Sequence, residues 1–273
     1  MSAVRPAAVA GLFYPQAPAA LRTQLHTWLT PRPPDPAKTA MARALIVPRA
    51  LIVPHAGYIY SGEIAATAYR RLAASPAGIE RVVLLGPSHR VPLTGLAVPS
   101  VAAFATPLGE VALDRAAVAS ALTLPQVREN DAAHALEHAL EVQLPFLQSL
   151  LSRFRLVPFA VGEATAAQVA EVIELLWGGR ETLVIVSSDL SHYLRYEQAR
   201  ALDRASADRV LALSPTLGYE QACGAVPING LLTAAGRRAM QVEMLDLRNS
   251  GDTAGDRARV VGYGSFAFNE AGT

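Results

Sequence analysis

Three of the six histidines in this chain lie just beyond the end of a continuous apolar, β-branched run. His55 follows Ala50-Leu51-Ile52-Val53-Pro54, His89 follows Val82-Val83-Leu84-Leu85-Gly86-Pro87-Ser88, and His192 follows Leu183-Val184-Ile185-Val186-Ser187-Ser188-Asp189-Leu190-Ser191. Imidazoles gathered at one place could hold a metal ion or carry protons. Apolar runs of about four to six residues closed by Gly, Pro or Ser read as buried strands of a helix-covered sheet. Such sheets bind ligands beyond the carboxyl ends of their strands, so the three histidines could meet there. Gly57 and Gly62 after His55 allow the backbone a tight turn or close approach to a ligand. Asp189, three residues before His192, could fix an imidazole tautomer as an outer carboxylate, or Asp189 or Ser191 could cap a helix. Ser187 and Ser188 lack the Gly-x-Ser-x-Gly elbow of a hydrolase nucleophile.

Two further groups could join this chemistry. His134, Glu137, His138 and Glu141 are three or four residues apart, so on one helix they share a face. Their order matches the reversed His-x-x-Glu-His spacing of some zinc proteases; the other readings are a solvated helix face or a lining for the histidine site. Cys223 stands in the Gly- and Pro-rich segment Ala222-Cys223-Gly224-Ala225-Val226-Pro227. A lone cysteine is commonly a small buried hydrophobe, yet a loop entering a helix also stabilises a thiolate, which is a metal ligand. Two histidines and one thiolate would make a three-ligand site, and such mixed nitrogen and sulfur ligation suits iron, copper or zinc better than magnesium or calcium.

The elements that must position these residues alternate. Helices are expected over 18–28, 63–72, 132–151, 164–177, 196–213 and 228–239, and strands over 50–53, 79–85, 155–161, 182–186, 242–247 and 260–268. Short strands at 96–98 and 110–113 flank the turn Thr106-Pro107-Leu108-Gly109 as a hairpin-like excursion. The expected fold is therefore α/β: a layered single domain spanning 1–273, with a central mixed sheet flanked by helices. Arg43-Ala44-Leu45-Ile46-Val47-Pro48 is repeated at once as Arg49-Ala50-Leu51-Ile52-Val53-Pro54. Two copies are too few for a solenoid, and only the second runs into the His55 loop.

Composition narrows the function classes. Of 273 residues, 51% are hydrophobic and 17% charged, enough for one large core, and the formal net charge of +1 offers no strong attraction for nucleic acid or an anionic membrane. No apolar stretch approaches the roughly 20 residues that span a bilayer. The first residues lack the apolar core of a signal peptide, so a cytoplasmic location is expected. A single cysteine excludes an intramolecular disulfide.

In order and spacing, these segments resemble the Memo family, also called the AmmeMemoRadiSam system protein B family. The matching blocks are Ala10-Gly11-Leu12-Phe13-Tyr14-Pro15, Pro54-His55-Ala56-Gly57-Tyr58 through Ser61-Gly62, Gly86-Pro87-Ser88-His89, Thr106-Pro107-Leu108-Gly109, Glu137-His138-Ala139-Leu140-Glu141-Val142-Gln143-Leu144-Pro145-Phe146, Ser187 to His192, Cys223-Gly224 and Asn249-Ser250-Gly251-Asp252. The resemblance implies a fold similar to class III extradiol dioxygenases, whose non-haem iron lies at one end of the sheet, with a cysteine in place of their carboxylate ligand. Carried over, His55, His89 and Cys223 would be metal ligands for Fe(II), or for Cu or Zn, and His192 the acid/base beside Asp189. Glu137, His138 and Tyr58 would line the pocket or stand behind its ligands. A thiolate favours softer ions than a carboxylate does, so ring cleavage does not follow from the fold; a metal-dependent redox reaction on a small-molecule or peptide substrate is the expectation. Two other roles accompany it: a peptide- or protein-binding adaptor using the same pocket, and an accessory of a radical SAM modification system. The chain departs from the family pattern in its duplicated hexamer and in Ala139, where the family commonly has Ser.

Overall fold

The structure, a computed structural model, describes residues 3–30, 47–74 and 78–270. Along the chain, β1 (Val4–Arg5) precedes α1 (Pro18–Leu29), which opens on a proline where the missing N–H costs nothing and buries Leu21, Leu25 and Leu29 at helical spacing. The fully buried β2 (Ala50–Val53) leads to α2 (Tyr58–Tyr69), and β3 (Arg81–Pro87) to β4 (Leu96–Val98). The hairpin β5 (Ala103–Thr106) and β6 (Gly109–Ala112) follows, then α3 (Arg115–Ala121), capped by Asp114, and β7 (Val127–Glu129). Three short helices come next: α4 (Asp131–Ala135), α5 (His138–Glu141) and α6 (Leu144–Leu150). The remainder alternates through β8 (Arg155–Val161), α7 (Ala166–Leu175), β9 (Thr182–Ser187), β10 (His192–Leu194), α8 (Tyr196–Leu211), α9 (Ala225–Arg237), β11 (Gln241–Asn249) and β12 (Val260–Asn269).

Among the described residues the main sheet has nine strands in the order β10-β12-β2-β9-β3-β8-β4-β7, with β11 also on β12. Its centre, β2-β9-β3-β8, is parallel; β12 and β4 join antiparallel, so the sheet is mixed as expected. Successive strand residues point to opposite faces, and the core divides accordingly. Val83, Leu85, Val184 and Val186 pack under α3, α7, α8 and α9, whereas Val82, Leu84, Leu183 and Ile185 pack under α1, α2 and α6. No helix among the described residues is long and apolar enough to cross a membrane.

Two expectations change. The hairpin across Pro107-Leu108 pairs β6 with β5 in a separate small sheet with β1, while residues 96–98 enter the main sheet between β8 and β7. The expected helix 132–151 is instead α4, α5 and α6. Glu137 leaves helical geometry at ψ 125° to cap Ala139 N–H, and Pro145, at the start of α6, cannot sit in a helix interior. Leu136, at the break, is 60% exposed. Of the tandem hexamer, the second copy is β2 with its flanks, and Arg43 to Ile46 of the first lie outside the described residues.

Candidate metal centre

Parallel pairing brings the strand ends together. β9 lies between β2 and β3, with Val53 opposite Ser187 and Leu85 opposite Val186. His55 and His89 therefore emerge at the same edge, and the break before α5 turns His138 onto them. Ring centroids are 5.1 Å apart for His55 and His89, 5.3 Å for His55 and His138, and 4.7 Å for His89 and His138, the last pair stacked. One ring nitrogen from each of the three lies within 4.8 Å of the others. Cys223 Sγ stands 3.3 Å from His55 Nε2. Its loop is held by Gly224 N–H donating to Ser188 Oγ, and a Cβ on Gly224 would lie only 2.7 Å from that side chain.

The ring orientations are set from behind. His89 Nδ1 faces Glu137 Oε1 at 2.9 Å, and the other oxygen of that carboxylate accepts His89 N–H at 2.7 Å. Burial would raise the Glu137 pKa, but the hydrogen bond and charge of His89 outweigh it and bring it down to about 2, so the acceptor is ionised. His89 Nδ1 then donates to that carboxylate, the support that metal-binding histidines commonly have. His55 Nδ1 lies 3.1 Å from Ser187 Oγ. The His138 Nδ1 atom is buried without a hydrogen-bond partner, with Phe13 at 4.7 Å on that ring.

Burial, reinforced by neighbouring His89, lowers the His55 pKa to about 3; burial and His55 lower that of His138 to about 4. Both are neutral near pH 7 and can approach one another without repulsion. Burial and the Asp189 charge push the Cys223 thiol up to about 12, so a cation at this place would have to displace its proton. The donor set of imidazole nitrogens, one without a partner, and a sulfur fits a borderline or soft transition metal.

Asp189 acts on the backbone. Its Oδ1 accepts His55 N–H at 2.7 Å and Ala56 N–H at 3.3 Å, fixing the loop instead of an imidazole; burial raises its pKa. His192, at the start of β10, shares with the three histidines a cavity of about 1440 Å³ whose walls include Tyr60, Tyr193 and Arg259.

Other expectations are corrected. Tyr58 is buried beneath the site, donating its hydroxyl to Val142 O and packing on Phe146, and Tyr60 lines the cavity in its place. His134 and His138 do not form a zinc pair: His134 lies on the far side of the helix break, its Nε2 2.9 Å from Ala97 O. The face carrying Glu137 and Glu141 is buried, not solvated. Ser187 and Ser188 donate their hydroxyl protons to Ala139 O and Asp189 O, so neither is a nucleophile poised against a base. His138, which sequence spacing tied to His134, is the donor whose place only the break reveals.

His134 makes the stability pH-dependent. Burial lowers its pKa from the ordinary 6.5 to about 4, so the unfolded chain takes a proton that the folded chain refuses. Stability is full above pH 6.5 and declines as the pH falls from 6.5 to 4, by roughly 3 kcal/mol for this group. Urea midpoints measured at pH 7.5, 6 and 5 should fall in that order; a midpoint that rises on acidification would contradict it.

This geometry defines a class: a mixed-sheet α/β protein with three imidazoles gathered at the carboxyl ends of its central parallel strands and a thiol beside one of them. The family model described as Memo-like protein matches residues 5–267. Similar chains include a MEMO1 family protein of Methanothermobacter thermautotrophicus, 35% identical over 95% of this chain and 98% of its own length. Another, from Archaeoglobus fulgidus, is 36% identical over 95% and 97%, and one from Aquifex aeolicus is 35% identical over 97% and 99%. The chain belongs to the Memo family.

Proposed function

We propose that the protein is a metal-dependent redox protein that binds one Fe(II), or Cu, between His55, His89 and Cys223, with His138 beside them. The observation that carries this reading is the convergence of three imidazoles, two with Nδ1 already engaged, beside a thiol 3.3 Å from His55 Nε2. Zinc fits the same donors but would leave the site without one-electron chemistry. A bound Fe(II) or Cu would supply redox chemistry and oxygen activation. The residues of the chain then divide the remaining work. Asp189 holds the His55 loop in place, Glu137 holds His89, and His192 carries a proton to or from a substrate in the cavity. At about 1440 Å³ the cavity exceeds the usual small-molecule range of about 300–1,000 Å³, which favours a peptide or another extended ligand as a second reading of what occupies it.

Anaerobic reconstitution followed by elemental analysis should find about one Fe(II) or Cu per chain. His55→Ala and Cys223→Ser should each abolish stoichiometric binding. Retention of a full equivalent by both variants would sink the metal reading and leave the cavity as a binding groove. Screening catechols under oxygen against the reconstituted protein then tests the reaction class.

A further inference from the structure

Ser187 and Gln143 are both fully buried, and neither faces the cavity. We infer that they are positioning residues that force His55 to carry its proton on Nδ1 and so keep Nε2 bare toward the donor cluster.

Gln143 Nε2 is 2.9 Å from Pro54 O and 2.8 Å from Ser187 Oγ, while its Oε1 accepts from Tyr69 OH at 2.9 Å. A carbonyl cannot donate, so the atom facing Pro54 O must be the amide nitrogen, and this fixes which way the amide points. Its second N–H therefore donates to Ser187 Oγ. Ser187 Oγ is also 2.6 Å from Ala139 O, another group that only accepts, so the single hydroxyl proton of Ser187 is spent there. With its proton on Ala139 O and one lone pair taken by Gln143, Ser187 has one lone pair left, and the group facing it at 3.1 Å is His55 Nδ1. That nitrogen must donate. In a neutral ring with its proton on Nδ1, Nε2 has an exposed lone pair, and Nε2 is the atom 3.3 Å from Cys223 Sγ.

The two strand-end histidines thus have their tautomers set by different means. His89 relies on an ionised carboxylate, whereas His55 relies on a serine made into an acceptor by its neighbours. The relay also explains a packing constraint. Ala139, whose carbonyl takes the Ser187 proton, packs against Gly86 so closely that a Cβ on Gly86 would lie 3.1 Å from that of Ala139. Any movement of this contact moves the carbonyl that orients Ser187.

The inference extends the proposed metal site, yet its test needs no metal. Protein labelled with 15N in its histidines, free of metal and at neutral pH, gives a long-range proton–nitrogen correlation spectrum in which each ring shows which nitrogen is protonated; the His55→Ala spectrum assigns the ring. Wild-type His55 is expected to show only the Nδ1-protonated tautomer, and the Nε2-protonated form as the main species would overturn the inference whatever the variants do. Ser187→Ala should bring in the Nε2-protonated tautomer, and Cys223→Ala should leave the wild-type pattern. The opposite result, with Cys223→Ala shifting the tautomer and Ser187→Ala not, would assign control to the thiol and overturn the relay. If no variant binds metal but the tautomer pattern holds, the metal reading fails while this one stands. Where metal binds, Ser187→Ala should weaken it about 10- to 100-fold.

Discussion

Replacing Glu141 with alanine will lower the unfolding free energy by about 3–5 kcal/mol, as expected when one partner of a buried ion pair is removed. The Glu141 carboxylate is fully buried and each of its oxygens has two donors. Oε2 accepts from Arg5 Nη1 at 2.7 Å and Ala8 N–H at 2.7 Å, and Oε1 from Val9 N–H at 3.0 Å and Tyr14 OH at 2.6 Å. Burial and the neighbouring carboxylate hold the Tyr14 hydroxyl above its ordinary pKa, so it remains a donor. Arg5 also donates to the carbonyls of His134 and Glu137, spanning the break between α4 and α5. In Glu141→Ala the guanidinium stays buried without its counter-charge, and two backbone N–H groups lose their acceptor. Urea denaturation measures the loss. The double variant Arg5→Met, Glu141→Leu should recover only part of it: apolar replacement spares the desolvation of both charges, but the Ala8 and Val9 N–H groups still lack an acceptor. A loss below about 1 kcal/mol in Glu141→Ala would show that the pair does not anchor the N-terminal segment.

Changing Glu137 to glutamine will weaken metal binding about 10- to 100-fold, the usual range for a group that orients a ligand. Glu137 accepts from the His89 backbone, His89 Nδ1 and Ala139 N–H, and its Oε1 lies 3.4 Å from His138 Nδ1. An amide offers one acceptor oxygen where the carboxylate has two, and its NH₂ must face an N–H of His89 or Ala139. The His89 ring is then free to turn or to exchange tautomers. Metal titration of the anaerobic variant, beside a urea curve showing that it is folded, reads the effect. Wild-type affinity in folded Glu137→Gln would remove Glu137 from the support of the site.

Much of the architecture was legible because its causes are local. Apolar runs such as Val82 to Leu85 cannot rest in solvent on either face, so they are strands of a covered sheet. Pro18 and the spacing of Leu21 and Leu25 mark α1 by the same kind of short-range rule. The break in 132–151 is hidden although Pro145 signals it, because Leu136, Leu140, Leu144 and Leu147 keep helical spacing through the interruption. What ends the helix at Leu136 is the pull of Glu137 toward His89, a residue 48 positions away. No local pattern encodes that pull.

For the site, short-range pattern was enough to locate the chemistry: His55, His89 and His192 follow strands, and a strand's end is a local property. The Gly- and Pro-rich loop around Cys223 made it a candidate beside them, and the family resemblance implied the same. Tertiary structure alone decided which groups meet and in what state. It turned His138 toward the other two rings, sent Tyr58 into the core, aimed Asp189 at backbone amides and gave the Nδ1 atoms of His55 and His89 their partners. Those outcomes depend on strand order and on where buried donors find acceptors, and both are settled between segments far apart in the chain.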